Sequence, residues 1–178
     1  MPDILLNLSP STQAVLQRRS ETLSHVVKVG EQVSDSETQD FVFFRASNIK
    51  FAIQHDWVQE AHIDVVPVFV PGTPKFIRGI VNVRGEIVSA MDICQFLGLP
   101  PQPMQEHYQM LRLKHGKLEF GMLCEEIENI QALNLQMLHP FEHNDSTRLN
   151  RYLLGLTDDL INVMDAQALL ADESLIIR

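Results

Sequence analysis

His139 and His143 lie four residues apart, a spacing that on a helix would aim two imidazoles at one metal ion. Pro140 between them breaks any such face, and no cysteine or acidic pair completes a ligand set. His55 and His62 flank a short turn with Asp56 and Glu60 and form no stronger constellation, so all of these read as solvated or loop histidines. Glu125-Glu126 with Glu128 offers paired carboxylates, but on a short surface turn they read as a solvated face. Cys94 and Cys124 occupy buried-looking segments and read as two reduced core thiols. Neither a glycine-rich phosphate loop, a nucleophile elbow nor a Walker pattern occurs. The expectation is therefore no catalytic residue, no metal, no cofactor and no enzymatic activity.

The prominent polar residues stand on a turn instead. In the segment Thr73–Leu99, Thr73 can cap and Pro74 can open a short helical turn, which Gly79 ends. A strand Ile80-Val81-Asn82-Val83 follows, Arg84-Gly85-Glu86 reverses the chain, and Glu86 to Met91 returns. Gly85 suits a tight hairpin because it tolerates positive φ. Asp92 caps a helix from Ile93 to Leu97, Gly98 stops it, and Pro100-Pro101 bar its continuation. Arg84 is thus held on a hairpin tip between Asn82 and Gly85. Two readings stay open for it: a solvated turn residue, or a rigidly mounted interface anchor. Trp57 and Phe76 read as core or groove-wall residues.

The pattern recurs later in the chain. Phe76-Ile77-Arg78-Gly79-Ile80 is echoed by Tyr152-Leu153-Leu154-Gly155-Leu156, and Met91-Asp92 by Met164-Asp165. Upstream, Phe51-Ala52-Ile53 is echoed by Phe120-Gly121-Met122. Each half reads as hairpin, short helical turn, strand, hairpin, short helix. The second copy is shorter between Gly155 and Asp165 and lacks the tip that carries Asn82 to Gly85.

The remaining elements place these two copies. Residues 1–38 stand apart, with Ser9-Pro10 reading as a helix start and Leu16, Leu23, Val26 and Val27 at roughly helical spacing, followed by a polar acidic linker. From Phe41 the alternation is β-like, and Ser47-Asn48 turns the chain. Pro100 to Glu106 joins the halves, Tyr108 to Cys124 forms a hairpin around His115-Gly116, and His139 to Thr147 is a polar loop. Closely spaced short strands with brief helices predict a mainly β fold of small barrels. At 178 residues the chain can bury a core, and a formal charge of −9 disfavours non-specific binding to nucleic acid or anionic membrane. No apolar stretch reaches transmembrane length and Met-Pro-Asp is no secretory n-region, so the expected location is the cytoplasm.

Val58-Gln59-Glu60, then Thr73-Pro74-x-Phe76-Ile77-x-Gly79-Ile80-Val81-Asn82-x-Arg84-Gly85-x-Ile87-Val88, then Asp92, resemble the signature of CheW-like coupling domains of bacterial chemotaxis. The likeness runs from about Phe41 to Ile177. It implies two intertwined five-stranded SH3-like barrels with short helices and a hydrophobic groove between them, in a domain over 39–178 whose pseudo-repeated halves span about 41–99 and 107–177. It implies a scaffold joining the cytoplasmic tips of methyl-accepting chemoreceptors to the regulatory domain of a CheA-type histidine kinase, recruited to membrane-associated receptor arrays. The interaction residues it implies are Arg84, Asn82, Gly85, Glu60, Val58 and Gly79. Ala61 after Glu60, Ser89, and the shortened second hairpin depart from the family pattern. They bear on which receptors are served, and on whether the array controls flagella, pili or gliding. An alternative is a divergent module that localises or regulates an array without bridging receptor and kinase.

Overall fold

Left-handed turns fold the chain into hairpins. Ser47-Asn48 (φ 50° and 61°) joins β1 (Thr38–Ala46) to β2 (Ile49–Gln54), and Arg84-Gly85 (φ 51° and 93°) joins β4 (Ile77–Val83) to β5 (Glu86–Asp92). Positive φ at both central residues is the type I′ geometry whose twist matches paired antiparallel strands. Gly116 (φ 59°) begins the reversal between β6 (Tyr108–His115) and β7 (Leu118–Cys124). The remaining strands are β3 (Val58–Val65), β8 (Glu126–Asn134), β9 (Leu153–Leu156) and β10 (Asn162–Met164). Among the described residues, three short α-helices accompany them: α1 (Ile93–Phe96), α2 (Arg148–Arg151) and α3 (Ala166–Leu170). The computed structural model describes residues 38–116, 118–140 and 148–175. The helical extension expected over 1–38 lies outside the described residues except for Thr38, as do His143 and most of the 139–147 loop.

The sheets do not follow the boundaries of the two sequence copies. One five-stranded sheet runs β8-β1-β2-β10-β9 and the other β3-β6-β7-β5-β4. Each sheet therefore takes a hairpin from one half and three strands from the other, joined by parallel pairs β2–β10 and β5–β7. This is the intertwined pair of small curled sheets, and neither 41–99 nor 107–177 contains a complete sheet. The exchange has a hydrophobic consequence. Phe44, Phe51 and Ile53 from one sheet and Met91, Leu111 and Met122 from the other belong to one continuous core. Phe96 and Tyr152 are fully buried in the same core, with ring centroids 5.2 Å apart. Burying each such side chain contributes roughly 1.5–3 kcal/mol relative to leaving it exposed. Strand β1 is covered on both faces: Val42 and Phe44 enter this core, while Phe41 and Phe43 enter a smaller one with Ala52 and Val163.

The two copies share their closing bonds. Val68 and Ile80 exchange backbone hydrogen bonds of 2.8 and 2.9 Å, and His139 and Leu156 repeat the exchange at the same two distances. Asp92 N–H donates to Phe76 O, and Asp165 N–H to Tyr152 O, each at 2.8 Å. Asp92 and Asp165 cap α1 and α3 by accepting from Gln95 N–H (3.1 Å) and Ala168 N–H (2.9 Å). The first α-helix ends at Phe96, with Gly98 (φ 82°) donating to Gln95 O beyond it. The second hairpin is indeed the shorter, closed by Thr157 N–H to Ile161 O at 3.1 Å between strands of four and three residues.

Two local expectations are corrected. Thr73 does not cap: its hydroxyl donates back to Val70 O at 2.9 Å, and Pro74 O accepts from Ile77 N–H in a turn instead of opening a helical one. Gly79 lies inside β4 instead of ending a turn, at a bulge opposite β5. Its φ of +151° and the approach of Val68 O, 2.2 Å from where a Cβ would stand, leave no room for a side chain. Gly155 meets His139 O in the same way at 2.8 Å.

Gly79→Ala is expected to lower the melting temperature well beyond Gly85→Ala. Both positions carry a positive φ, worth on the order of 1–3 kcal/mol of strain, but Gly85 has no atom within 4 Å of the added Cβ. Equal losses in thermal unfolding would mean that the Val68 segment yields at no cost.

A second expectation concerns acid stability. The buried Tyr152 hydroxyl donates to Asp172, and Ser174 N–H donates to the same carboxylate at 2.8 Å. Burial alone would raise the Asp172 carboxyl, but these hydrogen bonds outweigh it and hold it below the usual aspartate value. A carboxyl lowered in the folded state stabilises the fold above the ordinary aspartate range, near pH ~3.9, and that contribution fades as pH falls through the lowered value. Tyr152→Phe should cost about 1–2 kcal/mol at neutral pH and flatten the acid limb of the stability profile. Denaturant unfolding from neutral to acidic pH reads both, and an unchanged acid limb would remove the hydrogen bond's role.

Candidate protein-interaction site

Asn82 builds the tip from below: its Oδ1 accepts from Gly85 N–H at 2.8 Å, satisfying the turn locally. Arg84 is thrown outward, its side chain 79% exposed, and its Nη1 donates to Glu60 Oε1 at 3.1 Å. Glu60 comes from β3, which is separated from the β4–β5 hairpin by two strands, β6 and β7, in the sheet, yet its carboxylate reaches Arg84 at the tip. Strand alternation puts Val58, Glu60 and His62 on the inner face, with Gln59, Ala61 and Ile63 exposed. The sheet therefore brings Arg84 and Glu60 together, two residues that the sequence nominates separately.

Beneath them lies a charge network that the sequence reading missed. Arg112 on β6 has a side chain only 4% exposed and is paired with Glu86 and Glu119, with Glu60 Oε2 at 3.7 Å. Lys114 joins Glu119 at 3.2 Å, and His62 Nε2 lies 2.9 Å from Glu60 Oε2. The hydrogen bond that Arg112 donates to Glu86 outweighs burial and pushes the Arg112 guanidinium above its usual value. Burial would raise the Glu119 carboxyl, but the Arg112 and Lys114 hydrogen bonds hold it below the ordinary glutamate value. A charge this buried requires such pairing. The signal was present in the sequence as a lone arginine interrupting the apolar run Met110-Leu111-Arg112-Leu113.

Beside the network a groove of about 210 Å³ opens between β3 of one sheet and β8 of the other, both edge strands. Val58, Ala61, Leu111, Ile127 and Ile130 line it, with Glu60 at its polar side. Of the six nominated residues, Val58 and Glu60 thus face the groove, Arg84 reaches Glu60, and Asn82 and Gly85 shape the tip. Gly79 is placed apart, buried against the Val68 backbone. The other candidates resolve into ordinary contacts. Arg45 pairs with Glu125 (3.6 Å) and Glu126 (2.5 Å), and His139 with Asp158 (2.7 Å). The Trp57 ring packs on His115 with centroids 4.7 Å apart. Cys94 and Cys124 are free and buried, burial pushing the Cys94 thiol up to about 12 and the Cys124 thiol higher still. Among the described residues no helix is long and apolar enough to cross a membrane.

Known proteins resemble this chain. The chain is 22% identical to the chemotaxis protein CheW of Klebsiella aerogenes over 156 residues, 86% of this chain and 94% of that protein. It is 21% identical to the chemotaxis protein CheW of Bacillus subtilis over 151 residues, covering 83% and 92%. A shorter stretch of 62 residues, 35% of each chain, is 31% identical to protein PilI of Pseudomonas aeruginosa. Among solved structures, the scaffolding protein TtCheW from Thermoanaerobacter tengcongensis superposes with a TM-score of 0.61 at 20% identity, covering 71% of this chain and 88% of that one, and so shares the fold. Residues 40–174 match the family described as CheW-like domain, and the chain belongs to that family.

Proposed function

We propose that this protein is a non-enzymatic adaptor that couples the cytoplasmic tips of chemoreceptors to the regulatory domain of a CheA-type histidine kinase. The observation that carries this reading is the Arg84–Glu60 contact at the mouth of an apolar groove. An arginine already held by a carboxylate needs little further ordering to bind, which favours an interface anchor over a free surface charge. The groove offers its apolar lining to a partner side chain, and Glu60 offers it a polar limit. An adaptor needs a second face, and Val66, Val68 and Phe69 (54%, 64% and 71% exposed) with Met104 (80%) provide apolar surface that does not line the groove. Membership of the CheW-like family supports the reading, and the likeness to PilI keeps an array other than the flagellar one within it. Its place of work is then the cytoplasm, at receptor arrays.

Arg84→Glu is expected to abolish co-precipitation with a receptor-tip fragment and a kinase regulatory domain while leaving the fold intact. At an exposed tip a substitution changes stability by no more than about 0.5 kcal/mol, whereas truncating an interface anchor costs roughly 2 kcal/mol or more of binding. The reversed charge also faces Glu60 and repels it. A folded Arg84→Glu protein that still assembles with both partners would refute the anchor role and the adaptor reading that depends on it.

A further inference from the structure

Position 112 has a counterpart in the other sheet. Arg112 faces Gly121 beside the pair Leu113–Phe120 in the β6–β7 hairpin, and Phe43 faces Ala52 beside the pair Phe44–Phe51 in the β1–β2 hairpin. Phe43 is buried in an apolar cluster with Ala52 and Val163. Arg112 stands in the same row as Tyr108 and Met110, whose cluster takes in Val81, Val83 and Val88 of the β4–β5 hairpin. One copy thus fills the position with an apolar side chain, and a buried ion pair is often no more stabilising than apolar residues of similar volume. The two sheets differ in the hairpin that completes them. The β4–β5 hairpin carries the tip from Asn82 to Gly85, and the shorter β9–β10 hairpin lacks it. The arginine stands in the sheet that has the tip.

That tip reaches past its strand ladder. Backbone pairing to β7 engages β5 at Ala90, Met91 and Asp92, and the hairpin projects beyond it to Val83 and Glu86, the last pair before the Arg84-Gly85 turn. Arg112 on β6 donates to Glu119 on β7 and, across β7, to Glu86 on β5. Its Nη1 also lies 3.7 Å from Glu60 Oε2, an attraction between charges without a hydrogen bond. We infer that Arg112 is a positioning residue that acts through Glu86 to hold the tip where Arg84 meets Glu60. The charge-assisted bond anchors the foot of the projecting hairpin to the sheet. It also keeps the Glu86 carboxylate from competing with Glu60 for Arg84, which is two residues from Glu86 in sequence. The consequence for assembly rests on the adaptor reading above; the consequence for the tip itself does not.

Glu86→Ala in the full-length protein tests this, because the Glu86 side chain is 65% exposed and Glu119 still pairs with Arg112. The melting temperature should move by no more than about 2 °C. Nuclear magnetic resonance relaxation should show the Arg84 and Gly85 amide order parameters falling from about 0.85 toward about 0.6, while those of Ala90 and Met91 stay in place. Glu86→Gln, which keeps an acceptor for Arg112, should retain most of the order at the tip. Co-precipitation with the receptor-tip and kinase fragments should weaken roughly threefold to tenfold for Glu86→Ala, as the fraction of molecules with a competent tip falls, and less for Glu86→Gln. Arg84 and Gly85 amides as ordered in Glu86→Ala as in the wild type overturn the inference. So does order lost evenly through the hairpin with a melting temperature lowered by about 10 °C or more, which would make the bond a support of the whole sheet. A tip that loosens in Glu86→Ala, in a protein whose wild type binds neither fragment, upholds the inference and refutes the adaptor reading.

Discussion

The fold depends on one buried carboxylate. Asp92 is fully inaccessible, yet it ends β5, caps α1 and faces the linker between the two halves. An ion in that position is tolerable only with every lone pair engaged. Its Oδ1 takes Gln95 N–H, and its Oδ2 takes Arg78 Nε (3.1 Å) and Nη2 (2.7 Å) and Gln102 N–H (3.0 Å). Arg78 also donates to Gln102 O at 2.7 Å, and the Gln102 side chain reaches Leu123 O at 2.8 Å. One charge thus ties β4, β5, α1, the linker and β7 together. Asp165 in the second copy has only the capping part of this task, and the arginine position there is Leu154.

That asymmetry bears on how two exchanged halves stay in register. Because each sheet is completed by strands from the other half, the linker from Pro100 must leave α1 in a set direction for β6 and β7 to reach β3 and β5. Pinning Gln102 between Asp92 and Leu123 supplies that direction. The shared core then makes the two sheets a single cooperative unit, since neither half buries Phe44, Met91 and Phe96 by itself.

The interaction surface uses the same device with a different outcome. Arg112 is a buried cation surrounded by carboxylates, as Asp92 is a buried anion surrounded by donors. The Asp92 cluster closes on itself. The Arg112 cluster continues outward through Glu60 to Arg84, so the most exposed charge in the network is positioned from the interior. A rigid tip on an antiparallel hairpin and a groove between two edge strands meet at that point.

What the sequence determined by itself is local. The Arg84-Gly85 and Ser47-Asn48 turns, the caps at Asp92 and Asp165, the stop at Gly98 and the duplication all follow from φ preferences and bonds spanning a few residues. These are properties of residues and their near neighbours, and the long motif from Val58 to Asp92 carried the family with them. What only the tertiary structure decided is pairing over distance. The exchange of strands, the buried Arg112, the Val68 carbonyl that makes Gly79 obligatory and the contact of Glu60 with Arg84 join residues far apart in sequence. Local preference is blind to them because a hydrogen bond or a close approach between strands depends on register and sheet order, which the whole core selects.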